Sequence, residues 1–255
     1  MAESIIRDAL LANVLYDRFI NAIDMKVILE NSTAEVVEKK SRFIADLFYV
    51  ADVSSAEEKL NAIRKLHYSA KHHCYAYILG EKGDNVKSSD DGEPQGTAGH
   101  PMLDILKGNE LTNCIAIVTR YFGGTLLGTG GLVRAYSDSL KSAIAKAKIS
   151  TLQTAYKIDF EIAYDDYGKI ENLVQNINQF SSNDSSANDN NESTSKNIFS
   201  LAKTFENVVK LEYLVNVDFF DKFRAEIINI TRGKVTIKDD KKVVYYLDKN
   251  DIRYL

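Results

Sequence analysis

The stretch CIAIVTRYFGGTLLGTGGLVRAYSDSLKSAIAKAK, Cys114 to Lys148, decides the fold. It opens as an apolar, buried-type strand, CIAIVTR, that ends at Arg120. Gly123, Gly124, Gly128, Gly130 and Gly131 then interrupt the pattern. From Leu132 to Lys148 the residues Leu132, Tyr136, Leu140, Ala143, Ile144 and Ala147 recur at helical spacing, which predicts a long helix. Free N–H groups at such a helix start, together with the helix dipole, favour an anion. Arg120 at the strand end and Arg134 in the expected first turn supply charge for phosphate or carboxylate. The same glycines also suit tight turns or close packing, and the residues alone leave both readings open. No Walker lysine follows them, and no GxGxxG with an acidic partner is present, so nucleotide hydrolysis and dinucleotide binding lack support.

Upstream lies a second irregular segment, Asp90-Asp91-Gly92-Glu93-Pro94-Gln95-Gly96-Thr97-Ala98-Gly99-His100-Pro101. Between Gly80 and Gly131 the chain places eleven of its 13 glycines and both of its prolines, so its backbone irregularity is concentrated there. Asp90, Asp91 and Glu93 suit either Mg²⁺ ligation and proton transfer or a plain solvated turn. The segment lacks the ligand ladder of an EF-hand. His72 and His73 precede Cys74, but a strand sends adjacent side chains to opposite faces, so at most one serves a given site. With only His67 and His100 as further histidines, a zinc site is not expected, and no GxSxG elbow exists. No metal, cofactor or catalytic residue is assigned.

The 255 residues suffice for two cored domains, with 45% apolar and 27% charged residues. The net charge of −4 divides into +1 over residues 25–150 and −3 over 151–255, with the remainder at the start. That balance does not announce a nucleic-acid binder. Cys74 and Cys114 sit in apolar runs with no CxxC, as expected of buried thiols in a reducing, cytoplasmic setting. No transmembrane run and no signal-peptide pattern is evident.

Spacing predicts an amphipathic helix over 4–22, strand-like sequence from Met25 to Val50, and a helix after a capping box at Ser54–Glu58. Further strands are expected at 73–80 and 114–120. Beyond residue 150 the order β-α-β-β-α-β emerges, that of a ferredoxin-like split unit. Within it, 12 of the 17 residues Ser181–Asn197 are Ser, Thr or Asn, a composition expected of a disordered insertion. The expected architecture is α+β: a helical extension at 1–24, one domain at 25–150 and a second at 151–255.

The motifs KKSRFIA at Lys39–Ala45, AKHHCYAY at Ala70–Tyr77, SDDGEPQGTAGHPML at Ser89–Leu103 and VTRYFGGTLLGTGGLVRAYSDS at Val118–Ser139 closely resemble the IMPACT/YigZ family. The resemblance covers about residues 26–148. It implies a first domain sharing its fold with a small-subunit ribosomal protein and with GHMP kinases. Residues 155–247 resemble the bacterial members' C-terminal domain, similar to the ferredoxin-like domains of elongation factor G. Eukaryotic members regulate translation under amino-acid starvation, by competing for a ribosome-associated activator of an initiation-factor kinase. For bacterial members the resemblance suggests nucleic-acid or ribosome binding.

Carried over by position, the ligand-binding candidates are Arg120, Tyr121, Gly123, Gly124, Gly128, Gly131 and Arg134. The wider candidate surface is His72, Asp90, Asp91, Gly92, Glu93, Gly96, Thr97 and Gly99. The leading expectation is a non-enzymatic protein linked to translation and stress response, binding RNA or a ribosome-associated protein through the glycine-rich face. One rival is an enzyme acting on a small phosphorylated or carboxylated metabolite, with His72, Asp90, Asp91 or Glu93 as acid or base. Another is a protein-interaction module using the second domain's exposed sheet. No membrane partner is expected.

Overall fold

The computed structural model describes residues 25–180, 196–249 and 251–255. The helix expected over 4–22 and most of the insertion expected at 181–197 lie outside these residues. The chain divides into two compact units, the second beginning at Gln153.

The first unit runs β1 (Lys26–Glu30), β2 (Ser32–Glu38), β3 (Ser41–Tyr49), α1 (Val53–Leu66), β4 (His72–Leu79), β5 (Asn85–Ser89), α2 (Gly99–Gly108), β6 (Cys114–Tyr121), α3 (Thr129–Ile144) and β7 (Lys148–Thr151). Five strands form an antiparallel sheet in the order β2-β3-β6-β4-β5, while β1 pairs with β7. β6 is central and buried on both faces, which is why its sequence is a continuous apolar run rather than an alternation. One face carries Phe43, Ala45, Cys74, Ala76, Ala116 and Val118 and packs against Met102, Leu106, Tyr136 and Leu140 of α2 and α3. The other carries Tyr77, Leu79, Ile115 and Ile117 and packs against Ala56, Leu60 and Ile63 of α1.

Two helix starts differ from expectation. The cap of α1 is Asp52, not Ser54: its side chain accepts from Ser55 N at 2.7 Å, and Ser55 Oγ accepts in return from Asp52 N at 3.1 Å. Asp52 provides a better acceptor at the point where the chain leaves the extended region. α3 begins at Thr129 and ends at Ile144, so the glycines at 130 and 131 are helical and Arg134 falls in the second turn. α2 begins inside the last three residues of the irregular segment Asp90–Pro101 and runs on to Gly108, a helix not expected from the sequence because Gly99, Pro101 and Gly108 obscure its periodicity.

The second unit runs β8 (Gln153–Ile162), α4 (Tyr164–Phe180), β9 (Ile198–Phe205), β10 (Val209–Asn216), α5 (Val217–Ile230), β11 (Thr236–Asp248) and β12 (Asp251–Tyr254). Its antiparallel sheet has the order β12-β11-β8-β10-β9. Ile158, Phe160, Tyr213 and Val215 pack with Ile170 and Ile177 of α4 and with Phe220, Phe223 and Ile227 of α5. The chain as a whole is α+β.

Candidate functional site

The acidic turn between β5 and α2 is held together by its own carboxylates. Asp90 Oδ1 accepts from Ala98 N at 3.0 Å and Gly99 N at 2.8 Å, and Oδ2 accepts from Gly96 N at 2.8 Å. It therefore caps the start of α2 from nine residues upstream, where Ala98 itself has no capping side chain. Burial pushes the Asp90 carboxyl up, but these three N–H donors and His100 outweigh it and leave the pKa below the ordinary value.

Asp91, in the left-handed region at φ 43°, accepts from His73 N at 2.7 Å and from Arg64 Nη2 at 3.1 Å. Its carbonyl accepts from His72 Nδ1 at 2.9 Å. Thr97 is buried, and its hydroxyl donates to the Pro94 carbonyl at 2.6 Å. Gly92 packs beside the His72 ring, and Gly99 lies against Ser89, whose backbone a Cβ would meet at 2.7 Å. The turn is a fastening rather than an open ligand loop.

Glu93 enters the core. It accepts from Arg120 Nη1 at 2.7 Å and from Tyr136 Oη at 2.8 Å, and both Glu93 and Arg120 are buried. Tyr136 Oη lies 3.3 Å from Cys74 Sγ, which also sits 3.0 Å from the Asp90 carbonyl oxygen. Burial pushes the Cys74 thiol up to about 12 and the Tyr136 phenol upward as well, so both stay protonated at neutral pH. All three carboxylates of the turn are thus engaged in holding it to the fold. No cluster of three metal-ligating side chains occurs among the described residues.

The second glycine segment is built differently. Gly123 is wedged against the β2–β3 hairpin, where a Cβ would come within 2.0 Å of the Lys40 carbonyl carbon. At Gly124 and Gly128, by contrast, φ is 86° and 72°, and an added Cβ would meet nothing within 4 Å. Gly131 packs on Leu127. Gly128 is the N-cap of α3, with no side chain capping it and no acidic residue in the first turn.

This uncapped start opens into a cleft of about 450 Å³ lined by Lys71, His72, Glu93, Pro94, Arg120, Phe122, Leu126, Leu127, Gly128, Thr129 and Leu132. Arg120 is 7% exposed, and its guanidinium lies between the Phe43 and Phe122 rings, 5.4 and 5.6 Å from their centroids. Its Nε, closed off from solvent, has no hydrogen-bond partner among the described residues. Phe122 and Leu126 are 56% and 84% exposed.

Of the sequence candidates, the fold brings His72, Glu93, Arg120 and Gly128 to this cleft. Tyr121 is not among them, because strand alternation turns it to the α1 face, where its hydroxyl sits 2.9 Å from His67 Nδ1. Arg134 is exposed and does not line the cleft. His72 and His73 diverge as alternation requires: His72 faces the cleft, and buried His73 donates from Nε2 to the His67 carbonyl at 3.2 Å. Lys71, Phe122 and Leu126 went unrecognised as site residues, although an exposed aromatic beside glycines was a readable signal.

The first unit is therefore an α+β domain in which the start of α3, with no side-chain cap and no acidic residue in its own first turn, opens into a largely apolar cleft that Glu93 also lines. The chain belongs to the IMPACT family. The Impact N-terminal domain profile matches residues 39–144. The chain is 41% identical over 148 residues to the Bacillus subtilis IMPACT family member YvyE, across 58% of this chain and 68% of that protein. It is 46% identical over 108 residues to the Escherichia coli IMPACT family member YigZ, across 42% of this chain and 53% of that protein. Against a crystal structure described as a hypothetical protein the identity is 29%, with 84% of this chain and 95% of that one covered and a TM-score of 0.49.

Proposed function

We propose that this protein is a non-enzymatic regulator linked to translation, which binds RNA or a ribosome-associated partner through the cleft at the start of α3. The observation that carries the reading is the uncapped α3 start, with Lys71 and the buried Arg120 in the same cleft wall. Such a start offers unpaired N–H groups and a positive dipole end to an anion. Family membership supports the link to translation, since the resemblance implies that role for eukaryotic members. Engagement of Asp90 and Asp91 within the fold removes two of the rival enzyme's acid–base candidates, whereas His72 and Glu93 line the cleft.

The β11-β8-β10-β9 order within the second sheet supports a ferredoxin-like assignment for that unit. For the first unit, a ribosomal-protein-like or GHMP-kinase-like fold is part of the same proposal. The buried, protonated thiols of Cys74 and Cys114 suit a reducing cytoplasm.

The test is binding of single-stranded RNA and of purified ribosomes by the full chain across a salt series. Each phosphate contact should contribute about −0.7 to the log–log salt slope on single strands. Binding at low salt that weakens with a shallow slope supports the proposal. Absence of binding to both at low salt overturns it.

A further inference from the structure

We infer that the cleft at the start of α3 is built for a terminal phosphomonoester carried on a planar or apolar body. This rests on the anion-binding reading above and names the ligand class. Three observations converge on it. The first is the count of donors. The first helical bond of α3 that closes on its cap runs from Leu132 N to the Gly128 carbonyl at 3.0 Å. The N–H groups of Thr129, Gly130 and Gly131 precede it and have no carbonyl within the helix to donate to. Three amide donors suit the three terminal oxygens of a monoester, whereas a carboxylate or a chain-internal phosphodiester offers only two. A monoester also carries about −1.5 to −2 charges at neutral pH, where a diester carries one.

The second observation is independent of the helix. Arg120 lines the same cleft, is more than nine-tenths buried, and keeps an Nε without a partner among the described residues although its Nη1 is fixed on Glu93. The Nε itself is closed off from solvent, so a phosphate in the cleft would meet the guanidinium on the side that Glu93 does not occupy, where a charge-assisted bond would offset part of the cost of its burial. Lys71 adds an exposed ammonium on the same wall. The space above Gly124, Gly128 and Gly130, where an added Cβ would touch nothing within 4 Å, leaves the backbone approachable.

The third concerns the body of the ligand. Phe122 and Leu126 stand 56% and 84% exposed at the cleft, beside Pro94, Leu127 and Leu132. The cleft's volume of about 450 Å³ is that of a small-ligand site. It suits one phosphorylated group with a ring-sized body rather than a track for a long strand. The same chemistry is carried by a free phosphorylated small molecule and by the 5′-phosphate end of an RNA.

The experiment titrates the full chain with inorganic phosphate, phenyl phosphate and phenol, followed by calorimetry and amide NMR shifts at α3. Phenyl phosphate should bind about tenfold tighter than inorganic phosphate, and phenol should not bind measurably. Thr129→Glu places a carboxylate at the first helical residue, where it favours the helix but repels an anion. It should weaken phenyl phosphate at least about tenfold without lowering Tm. Leu126→Ser should weaken phenyl phosphate about fivefold and leave inorganic phosphate unchanged.

A parallel arm compares 5′-phosphorylated with 5′-hydroxyl RNA of one sequence. Preference for the phosphorylated end supports the inference and assigns the RNA source, while phenyl phosphate binding without that preference supports it and assigns a small molecule. Binding of neither phosphomonoester, or retention of both by Thr129→Glu, overturns it. RNA or ribosome binding that ignores the 5′-phosphate and survives Thr129→Glu overturns this inference alone and leaves the proposed function standing.

Discussion

The two glycine-bearing segments of the first unit use similar residues to opposite ends. Between Asp90 and Gly99, nearly every polar group is turned inward: Asp90 on three amides, Asp91 on His73 and Arg64, Glu93 on Arg120 and Tyr136. Between Gly123 and Gly131 one end is fastened at the Lys40–Ser41 backbone and the other packs on Leu127, while Gly124, Gly128 and Gly130 face open space. A carboxylate-rich turn that looks reactive is thus scaffold, and a glycine run that looks like mere loop is the accessible surface.

Substitutions can break this contrast. Glu93→Ala should cost most, about 3–5 kcal/mol in denaturant unfolding, because it strands the buried Arg120 charge. An unchanged midpoint would mean that the turn is not scaffold. Next come the adjacent glycines: Gly123→Ala should cost about 3 kcal/mol or more, since a Cβ there would overlap backbone, whereas Gly124→Ala should cost only about 1 kcal/mol of left-handed strain. Equal losses at the two positions would erase the distinction between fastened and open ends.

Two carboxylates sharpen the comparison through opposite pH behaviour. The Asp90 pKa is lowered in the folded state, so its contribution is present above the ordinary carboxylate pKa and is lost as pH falls through the lowered value. Asp90→Ala should therefore cost about 1–3 kcal/mol at neutral pH and less in acid. Buried Asp46 is the reverse case. Burial pushes its carboxyl above the ordinary 3.8, against the Thr33 hydrogen bond, and its Oδ2 has no partner among the described residues. Its cost is absent below that ordinary value and grows as pH rises through the folded one. Asp46→Asn should gain about 1 kcal/mol at neutral pH and nothing in acid, as measured by Tm across pH.

Much of this was legible in particular residues. The unbroken apolar run at Cys114 marked a central strand, and the alternation Ile158, Phe160, Ile162 marked a half-buried one. Adjacency of His72 and His73 was enough to send them to different faces. What escaped depended on tertiary partners. Nothing local shows that Asp90 caps a helix nine residues on, or that Glu93 enters the core to meet an arginine 27 positions later. Tyr121 and Arg134 are candidates through the family motif, and Arg134 also as a charge in the expected first turn, but the pleat and the later helix turn place both outside the cleft lining.

The fastening of the acidic turn has a consequence for its motions. Glycine-rich surface turns usually open on their own, and their amides exchange with solvent long before the core does. Here the N–H groups of Gly96, Ala98 and Gly99 end on Asp90, whose carbonyl rests against the buried Cys74 of β4. The amides of Ala98 and Gly99 should therefore exchange as slowly as those of the core strands, and hydrogen exchange that finds them as fast as a free loop would refute this.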